Sequence, residues 1–181
     1  MRAKFQRKPN RHKEWDYSGQ GFYFVTICAR RMKQIFGKVE NGQMNLNKFG
    51  ELADKLWQEI PKHYENVDID YYAIMPNHLH GIIIIKENNN VENNYVVTEH
   101  CSVTTRNTRK NYGLLSKIVK SYKNAVTGEL KKYSIYKSVW QRSFYDRIIR
   151  DDEELNKIRQ YIIDNPLKWD YDKNKNENLF Y

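Results

Sequence analysis

The chain has 181 residues, which is enough for one domain with a single sizeable core and gives little support to a division into two. Its 31 lysines and arginines outnumber 22 acidic residues, and the formal charge of +9 favours a polyanionic partner such as nucleic acid. The sequence has no apolar stretch of bilayer-spanning length and no signal-peptide core after its basic start, so we expect a cytoplasmic protein that does not enter membranes. Cys28 and Cys101 lack metal-type spacing, which argues against a disulfide framework and against a cysteine zinc site.

The chain begins with a strongly basic arm, residues 1–15. Its opening segment, "MRAKFQRKPNRHK", contains no acidic residue. Such an arm can lie along phosphates, although a solvated tail explains the same composition equally well. The basic residues of the arm are Arg2, Lys4, Arg7, Lys8, Arg11 and Lys13.

Strand patterns come next and are followed by a helix. Residues 21–29, "GFYFVTICA", are rich in aromatic and β-branched residues, which predicts a central strand. Another strand is predicted within "IFGKVENGQMNL", where Asn41-Gly42 favours a tight hairpin turn. From Asn47 onward apolar residues recur at helical spacing, and Pro61 marks the approach to the end of this helix.

The middle of the chain contains two further strands, "VDIDYYAIM" and "HLHGIIIIK", separated by the turn-prone "PN". Residues 87–111 are rich in asparagine and threonine and have no clear period. A loop of this length in a compact domain is usually functional or disordered, so we treat it as an insertion in the domain.

Two helices are predicted in the second half. Residues 112–131 place an apolar stripe on one face and lysines elsewhere, so the helix has a buried face and a basic one, or simply ordinary surface lysines. The last helix begins near Asp151 and Asp152, which suit a helix N-terminus. It should end by Asn165, because Pro166 disfavours helical geometry in the residue before it. The two stripes consist of Leu115, Ile118, Val119, Tyr122 and Val126, and of Leu155, Ile158 and Ile162.

The elements therefore alternate roughly as β-β-α-β-β-α-β-α. Strands that follow one another through tight turns pair antiparallel, so the pattern predicts an α+β fold built on a mainly antiparallel sheet. Residues 170–181 form a polar tail.

Two histidines stand one residue apart at the start of an apolar strand, in "MPNHLHG". Because successive side chains of a strand point to opposite faces, His78 and His80 should share a face and Leu79 should occupy the other. Two imidazoles on one face can bind a divalent ion, but two ligands rarely suffice. A surface accident, or a pair of hydrogen-bonded structural histidines, would give the same pattern.

The last helix contains a candidate third ligand. In "QYIIDNP", Tyr161 and Asn165 are four residues apart and so stack on one helical face. The phenol could be a nucleophile and the amide oxygen a metal ligand beside it. Fourteen tyrosines occur in the chain and most must be packing residues, so this pair is informative only together with the histidines.

The ordered combination of "MPNHLHGIIII" and "VWQRSFYDRIIRDDEELNKIRQYIIDNP" resembles the single-tyrosine HUH transposases, in particular the REP-associated tyrosine transposases. The resemblance covers residues 16–169 and includes "NLNKFGELADKLW" and "GLLSKIVKSYKNAVT". It implies a ferredoxin-like sheet with the His pair on a central strand and the tyrosine helix packed nearby.

The resemblance also implies a chemistry. In that family a tyrosine attacks a phosphate of single-stranded DNA, which leaves a 5′-phosphotyrosine link and a free 3′-hydroxyl. Tyr161 would be the nucleophile, and His78, His80 and Asn165 would bind Mg²⁺ or Mn²⁺. Several relatives have glutamine at the position of Asn165, and zinc would be an inert alternative. The expected partner is single-stranded or hairpin DNA, bound by a monomer or a homodimer.

The DNA would be held by basic side chains against its phosphates, which position the strand without specifying its sequence. Beyond the arm, the candidates are Arg30, Arg31, Lys120, Lys123, Arg142 and Arg147.

Three alternatives stay open. A non-catalytic RNA- or DNA-binding module would use an aromatic strand that "QGFYFVTI" faintly resembles, although Gln20 and Tyr23 depart from that pattern and the segment lies on the first strand. A metal-dependent hydrolytic nuclease would use water in place of the tyrosine. Tyr145 in "SFYDR" could be the nucleophile, but no amide follows it four residues later on an evident helix.

Overall fold

The computed structural model describes residues 19–87, 113–133 and 138–169. Strands and helices alternate along the chain as the sequence patterns predict. In chain order, the elements are β1 (Gly21–Cys28), β2 (Gly37–Glu40), β3 (Gln43–Leu46), α1 (Lys48–Gln58), α2 (Ile60–His63), β4 (Val67–Ile74), β5 (His78–Ile85), α3 (Leu114–Lys131), β6 (Tyr145–Ile149) and α4 (Asp152–Trp169).

Four strands form one antiparallel sheet in the order β4-β5-β1-β6. The path β1-α1-β4-β5-α3-β6 is a split βαβ arrangement, the ferredoxin-like topology. The predicted α+β class and the central position of the first strand are both confirmed. Strand β5 is the other inner strand of this sheet.

The sheet is covered on both faces, and strand alternation determines which residues meet which helix. Helices α1 and α3 cover the face that carries Tyr23 and Val25 of β1 and Leu79 of β5, and these residues form the larger core. Helix α4 covers the opposite face, where Phe24 and Ile82 form a smaller core with three apolar residues of the helix. Those three residues are Leu155, Ile158 and Ile162, the stripe predicted from the sequence.

The hairpin predicted around Asn41-Gly42 is confirmed. Strands β2 and β3 pair antiparallel as a separate two-stranded sheet. The segment therefore contains two strands, whereas the order predicted from the sequence has one. Asn41 and Gly42 have φ angles of 53° and 73°, and two consecutive left-handed residues are what a type I′ turn requires. Asn47 then caps α1, since its side chain accepts hydrogen bonds from the amides of Phe49 and Gly50.

The predicted end of the last helix is wrong. Helix α4 continues through Pro166 to Trp169, although proline removes one backbone hydrogen bond and disfavours helical geometry before it. Tertiary contacts stabilise the additional turn. Leu167 lies against Gly42 in the hairpin turn, and the Trp169 ring lies 5.8 Å from the ring of His78.

Several predicted segments lie outside the described residues. They are the basic arm, the tail and the asparagine-rich insertion apart from its first residue. Cys101 is among them, whereas Cys28 is a free, buried thiol. In residues 19–87, 113–133 and 138–169, none of the helices is both long and apolar enough to cross a bilayer.

Gly81 allows α1 to approach β5 closely, and this contact can be tested. A Cβ atom at Gly81 would lie 2.5 Å from Cζ2 of Trp57 and 3.1 Å from Cβ of Tyr72. We expect Gly81→Ala to lower the free energy of unfolding by about 1–3 kcal/mol, because the buried indole cannot easily move. Chemical denaturation with tryptophan fluorescence measures the change.

Gly128→Ala is the matched control, because nothing lies within 4 Å of a Cβ at that position in α3. It should stabilise the protein by about 0.4–1 kcal/mol through higher helix propensity. Equal effects of the two substitutions would contradict the close contact at Gly81.

Candidate active site

The two histidines lie side by side on the face of the sheet that α4 covers. Their ring centroids are 4.4 Å apart, and both side chains are buried. Leu79 points into the core on the other face, as strand alternation predicts. The pairing of β1 with β5 sets Thr26 opposite His80 and Cys28 opposite His78.

Helix α4 places its own polar residues over this pair. The Oη atom of Tyr161 lies 3.3 Å from Nε2 of His80, at hydrogen-bond distance. One turn later Asn165 is buried, and a further turn along, Trp169 packs against His78. Asn165 is four residues from Tyr161 and four from Trp169, so all three lie on one face of α4. Asn165 therefore lies between the residue that contacts His80 and the residue that contacts His78. The structure thus brings together the four residues that the sequence singled out.

Phe24 supports the site from β1. Its ring stacks on His80 at a centroid distance of 5.4 Å and an interplanar angle of 19°, and it meets the Tyr161 ring edge-on at 6.1 Å. An aromatic side chain in contact with both residues restricts how far either ring can turn. The geometry between the phenol and the imidazole is therefore set by packing as well as by their hydrogen bond.

Burial makes both imidazoles neutral. Desolvation lowers the pKa of His78 to about 3, and it lowers the pKa of His80 well below its ordinary value, with the neighbouring His78 adding to the effect. A neutral imidazole keeps a lone pair on one ring nitrogen, which is the form that binds a metal.

The donor set fits a divalent ion. Nε2 of His78 is buried and has no hydrogen-bond partner among the described residues, which is costly unless another group binds there. His80 offers a second ring nitrogen, and Asn165 is a buried amide on the helix face that covers the histidines. The described residues contain no group of three or more His, Cys, Asp or Glu that could hold a metal, so a third ligand would be of another type, such as this amide.

An ion pair fastens α4 to the edge of the sheet. Arg159 donates from Nε and from its terminal nitrogen to one oxygen of Asp70 in β4, each at 2.7 Å. The guanidinium also lies over the ring of Tyr71, 5.5 Å from its centroid. Arg159 precedes Tyr161 by two residues, so this contact helps to set where the phenol lies.

Three predicted DNA-binding arginines lie at the end of the sheet where His78 begins β5. Arg30 and Arg31 lie just beyond the end of β1, after Ala29, and are exposed. Arg142 is exposed in the segment before β6, where the Gln141 amide donates to the carbonyl of Cys28 at 2.9 Å. Exposed guanidinium groups near the candidate site are well placed for phosphates.

The other three described candidates have different surroundings. The ammonium of Lys123 donates to the carbonyls of Gln141, Arg142 and Ser143, and burial lowers its pKa. Lys120 is exposed on α3, across the sheet from the histidines. Arg147 forms an ion pair with Glu154 of α4. Their contact with DNA stays a prediction.

Sequence reasoning missed Thr26 and Asn77, which hydrogen-bond the two imidazoles. Thr26 could not be found without the pairing of β1 with β5, because 54 residues separate it from His80. Asn77 gave a readable signal, since a polar amide directly before a buried histidine needs a partner.

No family model matches the chain. It is 38% identical to an uncharacterized protein of Haemophilus influenzae over 167 residues, which cover 92% of each chain. It is 27% identical over 159 residues to a second Haemophilus influenzae protein, provisionally described as a REP-associated tyrosine transposase; the match covers 86% of this chain and 76% of that protein.

A solved structure of a REP-associated tyrosine transposase bound to a REP hairpin has the same fold. The TM-score is 0.58 at 17% identity, with 88% of this chain and 74% of the other covered.

An antiparallel sheet with a His-Leu-His strand beneath a tyrosine helix is the arrangement that resemblance to the single-tyrosine transposases predicts, and the fold agrees. The chain is therefore similar in sequence and in fold to REP-associated tyrosine transposases. This similarity supports a transposase-like role.

The ion pair between Arg159 and Asp70 should stabilise the docking of α4. The two side chains are only 33% and 15% exposed, so their attraction is weakly screened. A double-mutant cycle with Asp70→Asn and Arg159→Gln should give a coupling free energy of about 1–2 kcal/mol in chemical denaturation.

Glu153 and Lys157 form the matched control on the same helix, because their side chains are 80% and 72% exposed. That pair should give about 0.3–0.5 kcal/mol. Equal couplings for the two pairs would show that the contact with β4 contributes nothing beyond a surface ion pair.

Proposed function

We propose that this protein is a metal-dependent single-strand DNA endonuclease and strand transferase that acts on hairpin or palindromic DNA through a 5′-phosphotyrosine intermediate. The observation that carries the proposal is the contact of 3.3 Å between Oη of Tyr161 and Nε2 of His80, with the ring of His78 beside it. The hairpin bound in the structure of similar fold supports the choice of substrate.

Tyr161 is the proposed nucleophile. Its oxygen would form a bond to the phosphorus of a DNA phosphodiester while the bond from phosphorus to the 3′ oxygen breaks. The phenol loses its proton and the departing 3′ oxygen gains one, so the products are a 5′-phosphotyrosine and a free 3′-hydroxyl. One phosphodiester replaces another, and a 3′-hydroxyl can later reverse the step without ATP.

The phenol needs assistance, because its ordinary pKa is about 10 and it is a weak nucleophile at neutral pH. His80 and Phe24 hold its ring in one orientation, which lowers the entropic cost of attack. His78, His80 and Asn165 would hold Mg²⁺ or Mn²⁺, and a bound divalent ion neutralises charge that develops on the phosphoryl oxygens.

Basic side chains around the His78 end of the sheet would bind the DNA backbone. Arg30, Arg31 and Arg142 are exposed there and can contact phosphates without reading bases. We also expect the basic arm, residues 1–15, to contact phosphates, which stays a prediction.

Burial disfavours the binding-module alternative. Such a module stacks bases on exposed aromatics of its sheet. Here Phe24 is buried beneath α4, and Tyr23 is buried on the other face.

Tyr161→Phe tests the nucleophile. Because the variant lacks the attacking oxygen, we expect covalent adduct formation to fall by at least about a thousandfold. The measurement is a denaturing gel of labelled hairpin DNA incubated with the protein and Mn²⁺ or Mg²⁺. The hairpins to be tested are REP-type hairpins and any palindromes found beside the gene.

Tyr145→Phe is the matched control and should leave the adduct unchanged. An adduct that survives in Tyr161→Phe and disappears in Tyr145→Phe would transfer the role to Tyr145. Cleaved DNA with free ends and no adduct would favour a hydrolytic nuclease, and no cleavage of any hairpin would favour a binding module.

The proposed ligands give a second test. His78→Ala and Asn165→Leu should each reduce cleavage at least about 100-fold, because each removes a donor atom. Hairpin affinity should stay close to wild type in gel-shift assays, since phosphates are bound by other residues. A parallel loss of DNA binding would show that these residues act through the fold or the DNA surface.

A further inference from the structure

The second ring nitrogen of each imidazole is held by a neighbour outside the proposed ligand set. Nδ1 of His78 lies 2.6 Å from Oδ1 of Asn77, and Nδ1 of His80 lies 2.8 Å from Oγ1 of Thr26. All four side chains are buried, with exposed fractions of 9% or less.

We propose that Asn77 and Thr26 are positioning residues that fix the tautomer and the ring orientation of the two histidines, so that both Nε2 atoms are available to a divalent cation. The inference rests on the proposed function for the identity of the cation. The tautomers of His78 and His80 can be determined without any cation or DNA.

Asn77 selects the tautomer of His78. An amide oxygen can only accept a hydrogen bond, so Nδ1 of His78 must carry the hydrogen and Nε2 must carry the lone pair. The orientation of the amide follows from its other end, where Nδ2 donates to the carbonyl of Met32 at 3.4 Å. The atom left with the lone pair is Nε2, which has no partner among the described residues.

The backbone around Asn77 is also fixed. Its carbonyl accepts from the amide of Ala29 at 2.8 Å, and the preceding carbonyl of Pro76 accepts from the amides of Ile35 and Phe36. The amide of Met75 closes the turn by donating to the carbonyl of His78 at 2.8 Å. Asn77 therefore holds His78 from a rigid position, which is what a positioning residue requires.

Thr26 acts on His80 from the neighbouring strand. The two residues are directly opposed in the antiparallel pairing, and the β-branched side chain of Thr26 has few rotamers. A hydroxyl can donate or accept, so Thr26 alone does not select a tautomer. Once Nε2 receives a cation or the Tyr161 hydroxyl proton, Nδ1 must carry hydrogen, and Oγ1 of Thr26 accepts it.

The test compares isosteric variants that keep or remove each acceptor. Thr26→Val keeps the shape and loses the hydroxyl, whereas Thr26→Ser keeps the hydroxyl. Asn77→Leu loses the amide, whereas Asn77→Asp keeps an acceptor oxygen. Mn²⁺ binding is measured by electron paramagnetic resonance on the full-length chain without DNA, and circular dichroism checks folding.

We expect Thr26→Val and Asn77→Leu to weaken Mn²⁺ binding by about 10–100-fold, the usual effect of losing an outer-sphere partner. Thr26→Ser should stay close to wild type, and Asn77→Asp, which keeps the acceptor but loses the donor to Met32, should bind Mn²⁺ more tightly than Asn77→Leu. Unchanged Mn²⁺ affinity in Thr26→Val and Asn77→Leu would overturn the proposal.

Nitrogen-15 NMR of the histidine rings in metal-free protein provides a readout that does not depend on metal or DNA. The wild type should show His78 as the tautomer protonated on Nδ1, and Asn77→Leu should show a mixture. A wild-type His78 protonated on Nε2 would overturn the proposal even if the protein cleaves DNA. If the protein binds no Mn²⁺ but the expected tautomer is present, the metal in the proposed function fails while the positioning role of Asn77 stands.

Discussion

The pairing register of β1 with β5 is the constraint on which the candidate site depends. With Thr26 opposite His80, both imidazoles point towards α4 and Leu79 points into the larger core. A slip of one residue would turn both histidines into the larger core and turn Leu79 towards α4. The register is secured by burial on both faces, because Tyr23 and Phe24 pack into different cores. Hydrophobic packing along β1 and β5 therefore determines where His78 and His80 lie.

Burying two imidazoles in an apolar setting has a cost, and the surrounding polar groups offset part of it. Desolvation favours the neutral rings, and hydrogen bonds with Thr26 and Asn77 satisfy one nitrogen of each ring. Aromatic contacts from Phe24 and Trp169 fill the remaining space around them. The result is a pair of uncharged nitrogen donors that would not need to lose a proton before binding a cation.

Much of this arrangement could be predicted from the sequence, because it follows from short-range periodicity. The alternation in "HLHG" places the histidines on one face, and the four-residue spacing of Tyr161 and Asn165 places them on one helix face. The end of α4 was mispredicted, because the local preference against helix before Pro166 is outweighed by contacts of Leu167 and Trp169 with distant residues. Thr26 was missed for the same reason, since only strand pairing brings it to His80.

The two halves of the site belong to different layers of the fold. The imidazoles stand on the inner strands, fixed by the larger core behind them, whereas Tyr161 belongs to a helix that is attached through the smaller core and the Arg159–Asp70 ion pair. The free energy of local opening is lower for a layer that buries less apolar surface. Helix α4 packs on the smaller core, so it should open more readily than the sheet. Withdrawing the phenol from its partners should therefore cost less free energy than rearranging the sheet, and in the proposed reaction the covalently linked DNA end would move with it.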